Sequence, residues 1–188
     1  MADPSIDVAP GVVAYEAGDY ARAHDLLKPA ADAGDLQARY LMARLLSGDL
    51  ADRTDYQQAF AYLDQDVRCR SPGALALFAY VSWHAGPRGG TLQETALAYK
   101  EAALGGNLEA LTGLGLLLGR DLERPLEGGA YLLEASELGE PSAIEFIESV
   151  EDSELGRLSL ERLRIIVEEQ PFAVRWPLLD DETTQCRF

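Results

Sequence analysis

The sequence predicts an all-α fold: a helical solenoid of about ten helices in antiparallel pairs, closed by a C-terminal capping helix and an extended tail. Three observations predict it. A short signature recurs, with GDLQA ending at Ala38, RSPGA at Ala74, GNLEA at Ala110 and GEPSA at Ala143, at spacings of 36, 36 and 33 residues. A fixed period in that range marks stacked helical repeats. Each signature is also a helix stop followed at once by a helix start. Asp35, Ser71 and Asn107 stand where an N-cap is wanted, and Pro72 and Pro141 where a first-turn proline is tolerated. Finally, TLQETALAYKEAALGGNLEALTGLGLLLG (91–119) reads as two helices joined by a glycine turn, neither able to bury its apolar face alone.

Residues 1–9 are expected to be a flexible N-terminus, and the repeats to occupy 10–151 as one continuous core. Pro10 opens a short helix through Ala17, and Asp19 can cap the next helix, over 19–33, in which Pro29 removes one backbone hydrogen bond. A third helix spans Leu36 to Ser47 and stops at Gly48; a fourth spans Asp55 to Cys69. A fifth follows Ser71-Pro72 and ends near Gly86, before the loop 87–90. Thr91 and Glu94 then form a capping box for the first central helix. Gly105 and Gly106 supply left-handed residues after it, and Asn107 caps the helix that runs to Gly119. The eighth helix runs from Pro125 to Gly139 and the ninth from Pro141 to Val150.

The end of the chain breaks the period. Residues 152–170 carry an amphipathic capping helix with Leu155, Leu158, Leu163, Ile166 and Val167 on or near one face. The tail, 171–188, contains PFAVRWPLL, too proline-rich for a helix and too apolar to stay in water. It is expected to lie extended, with Phe172 and Trp176 against the last helices.

Composition narrows the function. The chain has 188 residues, 47% of them hydrophobic, enough for a substantial core. Its net charge of −16 opposes binding to nucleic acid or an anionic membrane, whose phosphates such a surface repels. Cys69 and Cys186 are too few for a disulfide framework, and the opening MADPSIDVAPG has neither a basic head nor an apolar stretch. A reducing cytoplasmic home is therefore expected, with a mature periplasmic form, its signal removed, as the alternative.

Several residue patterns resemble a known family. Asp19, Arg22-Ala23, Leu26 and Lys28-Pro29-Ala30-Ala31 follow the second-helix pattern of the Sel-one-like repeat proteins, relatives of the tetratricopeptide repeat. Leu114-Gly115 matches their first-helix Leu-Gly, with Met42-Ala43 and Phe78-Ala79 as conservative versions, and Glu101-Ala102-Ala103 follows their closing Lys-Ala-Ala. The resemblance covers about residues 12–143, with a degenerate half-repeat at Ile147-Glu148. The aromatic expected three residues after Leu-Gly is replaced by Leu46, Ser82 and Leu118. The resemblance implies a right-handed solenoid with adaptor or scaffold work, common for this family in bacteria. It also implies that Gly115 sits at a close helix–helix approach, and that the first helix of each pair lines a concave face.

On that register the inward positions are Tyr40, Arg44, Tyr80, Trp83, His84, Leu116 and Arg120, and they are the expected partner-binding residues. Aromatics and arginine anchor interfaces because they bury large area with few rotors. A second candidate is acidic. From Pro125 to Gly156 there are nine acidic residues and no Lys or Arg, so Glu134, Glu137, Glu145 and Glu148 could dock a basic partner as readily as form a solvated face.

Catalytic patterns are weaker. His24 and His84 have no metal-ligand spacing around them, and His24 is expected at the surface. GLGLLLG (113–119) lacks the Lys-Ser/Thr of a phosphate loop and lies within a helix. Cys69 lies between Arg68 and Arg70, yet a buried or indifferent thiol is the simpler reading than a nucleophile. No catalytic residue, metal or cofactor is expected. The reading is a non-enzymatic protein–protein interaction module, with an immunity or inhibitor protein that neutralises a bacterial toxin as the alternative.

Overall fold

A computed structural model describes residues 7–48, 50, 54–169 and 186. Among these residues the protein is all-helical, with eleven α-helices, one 3-10 turn and no strand. The chain divides between Thr91 and Leu92 into two compact units.

The first unit contains α1 (Ala9–Glu16), α2 (Tyr20–Asp32), α3 (Leu36–Ser47), α4 (Tyr56–Tyr62), α5 (Gln65–Arg68) and α6 (Pro72–His84), followed by a 3-10 turn over Gly86–Arg88. α1 packs on α2, α2 on α3, and α3 on α4. Leu27, Met42, Leu45, Leu63, Leu75 and Val81 are fully buried. Each such side chain contributes about 1.5–3 kcal/mol relative to exposure.

The second unit contains α7 (Leu92–Leu104), α8 (Leu108–Arg120), α9 (Pro125–Glu137), α10 (Pro141–Glu151) and α11 (Glu154–Glu169). α8 packs on α7 and α9, and α11 lies against α9 and α10. Leu132, Leu133, Ile147, Leu160 and Leu163 form one buried cluster.

The four signatures share one local geometry. The backbone N–H of Ala38 donates to Asp35 Oδ1 at 2.8 Å, and that of Ala74 to Ser71 Oγ at 3.1 Å. Ala110 donates to Asn107 Oδ1 at 2.8 Å, and Ala143 to Glu140 Oε2 at 2.7 Å. Each cap satisfies an amide the helix cannot, worth about 1 kcal/mol. All four alanines are buried, at most 2% exposed, because each begins the face that packs. Ala43 and Ala79, which stand where Leu-Gly has its glycine, are also fully buried.

At Gly115 the close approach is present. A Cβ there would lie 2.8 Å from the Gly128 carbonyl oxygen and 2.8 Å from Leu132 Cγ, so the backbones of α8 and α9 meet. A side chain at Gly129 would likewise meet Leu163 Cδ1, at 2.7 Å, where α11 covers α9.

Several expectations are corrected. The helix expected over 55–69 is broken into α4 and α5. Arg39 Nη1 holds Asp64 Oδ2 at 2.6 Å while Asp64 Oδ1 accepts from the Val67 amide, so Asp64 starts a new helix instead of continuing the old one. Helix one begins at Ala9, inside the segment expected to be loose. Gly106 takes a positive φ of 93°, whereas Gly105 does not, since a single left-handed residue completes the turn. His24 is half-buried at the surface: its side chain is 12% exposed, with Nδ1 3.1 Å from the exposed Asp25 Oδ1. On α11, Leu160 and Leu163 are buried while Leu158 is 54% exposed, so the covered face is centred elsewhere.

Neither cysteine is a free thiol. Cys69 and Cys186 are both disulfide-bonded, against the expectation of reduced thiols. A count of two cysteines does not by itself say whether they are reduced or oxidised. The expected tail contacts of Phe172 and Trp176 lie outside the described residues.

Candidate functional site

Four rings gather in the first unit, from α4 and α6. Asp55 caps α4, its Oδ1 accepting from the amides of Gln57 at 3.1 Å and Gln58 at 3.0 Å, which sets Tyr56 as the first helical residue. On α6, Tyr80 and His84 are four residues apart and so share a face. Their ring centroids lie 4.2 Å apart. Tyr56 stacks on His84 at 5.1 Å and meets Tyr80 edge-on at 6.1 Å, while Trp83 lies 5.2 Å from His84. His84 therefore touches all three other rings.

The sequence holds this geometry locally. Ala79 and Val81 are fully buried on the opposite side of α6, which turns Tyr80 and His84 outward. The end of α6 is fastened by Ser82 Oγ, which donates to the Gly89 carbonyl. Arg88 Nη1 donates to Gln57 Oε1 at 2.5 Å, tying the following turn to α4 beside Tyr56. The His84 Nδ1–H donates to the Tyr80 carbonyl at 2.8 Å. Tyr80 is 37% exposed, His84 is exposed, and Tyr56 and Trp83 are half-buried.

The remaining expected positions are distributed. Arg44 is exposed and its Nη1 donates to the Tyr40 hydroxyl at 3.5 Å. Tyr40 is half-buried and lines a cavity of about 430 Å³ with Gln37, Arg70 and Ala74. In the second unit, Leu116 is half-buried and packs against the Leu132–Leu163 cluster, so part of its surface is core. Arg120 is exposed, with Nε 3.0 Å from Asp121 Oδ2. Tyr56 was missed by sequence reasoning, because its place depends on α4 lying beside the end of α6; a Tyr just after a capping Asp was the available signal.

The acidic run is uneven. Glu137, Glu145 and Glu148 are exposed, whereas Glu134 is half-buried. Glu127 pairs with Arg124, and Glu151 with Arg164 at 3.0 Å, so basic residues just outside the run answer its ends. Glu140 is 4% exposed and serves as a cap. Burial pushes its pKa up, but hydrogen bonds from the Thr112 hydroxyl, at 2.7 Å, and from the Ala143 and Ser142 amides hold the carboxyl below its usual value. Beside the exposed acids, Leu138, Ile144 and Phe146 are also exposed.

Among the described residues, no group of three or more His, Cys, Asp or Glu side chains could hold a metal ion, and no helix is long and apolar enough to cross a membrane. Comparison with family models, with curated proteins and with solved structures found no match.

Proposed function

We propose that this chain is a non-enzymatic protein-binding module, a right-handed solenoid of Sel-one-like repeats acting as an adaptor or scaffold. The repeat reading is supported by the same cap recurring at Asp35, Ser71, Asn107 and Glu140, each followed three residues later by a buried alanine. The observation that carries the binding reading is the cluster of Tyr56, Tyr80, Trp83 and His84, in which Tyr80 and His84 are exposed and the other two half-buried. Tyrosine and tryptophan at a partly exposed position are residue types that anchor interfaces. Glu137, Glu145 and Glu148, with the net charge of −16, would steer a basic partner toward the protein. The disulfide-bonded cysteines favour the mature periplasmic alternative over the cytoplasm.

The test is co-purification from the source cell with the native chain and with the Tyr80→Ala/Trp83→Ala/His84→Ala variant. A protein retained by the first and lost by the second, with the helical circular-dichroism spectrum unchanged, supports the reading. Its identity separates an adaptor from a toxin-neutralising inhibitor. Equal retention by both chains would overturn the assignment of the site.

A further inference from the structure

We propose that the outer face of α11 is a self-association surface, on which α11 of a second copy of this chain packs side by side and parallel. The inference stands independently of the ring cluster. One side of α11 is covered: Leu160 and Leu163 are buried, 2% and 8% exposed, where the helix meets α9 and α10. On the opposite side Leu158 and Ile165 are 54% and 55% exposed. Seven residues make almost two full turns, so these two side chains stand on one line, about 10 Å apart along the helix. A helix packed on one side only is expected to be polar on the other, and here an apolar stripe takes that place.

Charge complementarity selects the occupant. Glu161 and Arg162 follow Leu158 by three and four residues, so they flank the stripe, one on each side, and both are exposed. The neighbouring arginines are engaged: Arg157 donates to the Glu151 carbonyl and Arg164 to the Glu151 carboxylate. Among the described residues, neither Glu161 nor Arg162 has an ion-pair partner. A two-fold axis running along two parallel copies of α11 sets Leu158 on Leu158 and Ile165 on Ile165. The same axis brings Glu161 of each copy beside Arg162 of the other, once on each side of the seam. An antiparallel pair would set like charges together instead. The stripe is thus complementary to itself. Copies of a chain at −16 repel one another at long range, but α11 carries three arginines against four glutamates and is nearly neutral. Helices α9 and α10 carry no Lys or Arg at all, so α11 is where a second copy is repelled less.

Sedimentation equilibrium of the full chain, up to about 0.5 mM and in about 0.15 M salt, where repulsion beyond about 8 Å is screened, should show a monomer–dimer equilibrium. Leu158→Ser/Ile165→Ser should weaken it by roughly tenfold or more. Glu161→Arg alone, and Arg162→Glu alone, should each weaken it by roughly threefold to thirtyfold, because each sets like charges across the seam. An equimolar mixture of those two variants should associate as the native chain does, since each then supplies the charge the other lacks. The double exchange Glu161→Arg/Arg162→Glu, which leaves the net charge unchanged, should also associate normally. All four side chains are exposed, so the variants should fold, and circular dichroism checks this. A chain that stays monomeric throughout overturns the proposal and leaves the stripe to a different protein. A dimer indifferent to Leu158→Ser/Ile165→Ser, or a mixture no stronger than either single variant, overturns it as well.

Discussion

Gly115 and Gly128 face one another where α8 meets α9. A Cβ on Gly115 would lie 2.8 Å from the Gly128 carbonyl oxygen, and one on Gly128 would lie 2.7 Å from the Gly119 amide nitrogen. Neither neighbour is the end of a flexible side chain, so relief requires the backbones to separate. Gly115→Leu should destabilise by about 1–3 kcal/mol or more, read as a lower urea midpoint at unchanged m-value. Gly119→Ala is the contrast, because a Cβ there meets nothing within 4 Å and its φ is not positive. It should raise stability by up to about 1 kcal/mol. A midpoint indifferent to Gly115→Leu would show that the two helices do not need this contact.

Glu140 binds α8 to α10 through Thr112 and the Ala143 amide. Its carboxyl is held below the usual value in the folded protein, so the unfolded state takes up the proton first as pH falls. The stabilisation is therefore present above the ordinary carboxylate value of 4.5 and is lost as pH falls through the lower folded value. Glu140→Gln should cost about 1–2 kcal/mol at pH 7, because it keeps one oxygen for Thr112 and Ala143 but loses the negative charge and the second acceptor oxygen. Urea unfolding of both chains at pH 7 and near pH 3 should show this difference shrinking in acid. A difference independent of pH would show that the carboxylate charge plays no part.

Tyr62 behaves in the opposite sense. Its hydroxyl donates to Asp32 Oδ1 at 2.7 Å, and Lys28 Nζ lies 2.5 Å from the other oxygen of the same carboxylate. Burial, and then the hydrogen bond to Asp32, push the Tyr62 phenol up from 10.0 to about 12. Because its folded pKa is raised, its stabilisation is complete below pH 10 and is lost as pH rises toward 12. Ultraviolet difference titration of the folded protein should show a late-ionising component that is lost in Tyr62→Phe. That substitution should also cost about 1 kcal/mol at neutral pH, since it leaves Asp32 with one partner fewer. A titration curve unchanged by Tyr62→Phe above pH 10 would refute the assignment.

The cysteines admit a direct count. A thiol reagent applied to the denatured, unreduced protein should label neither Cys69 nor Cys186, and after reduction it should label both. Labelling without reductant would return both residues to the expectation drawn from their number alone.

How much was legible depended on distance along the chain. The caps at Asp35, Ser71 and Asn107 join groups three residues apart, so a local pattern suffices to specify them. The bounds of α3, Leu36–Ser47, were fully readable for the same reason. The break at Asp64 was not, because the side chain that holds it is Arg39, 25 residues away. Glu140 looked like one more acid in a charged run until the fold placed Thr112 against it. Within the aromatic site, the pairing of Tyr80 with His84 followed from helical spacing, and the arrival of Tyr56 did not.

The sequence by itself determined the all-helical class, the period of the caps and the small residue at Gly115, since each follows from backbone propensity, local hydrogen bonding or one-dimensional repetition. Only the tertiary structure decided which polar residues are used up internally and which rings face outward. Burial and charge are properties of neighbours in space, and a run of identical acids divides into a buried cap, paired ends and free surface only when other helices reach it. The same holds for the disulfide-bonded state of Cys69 and Cys186, which no count of two cysteines contains.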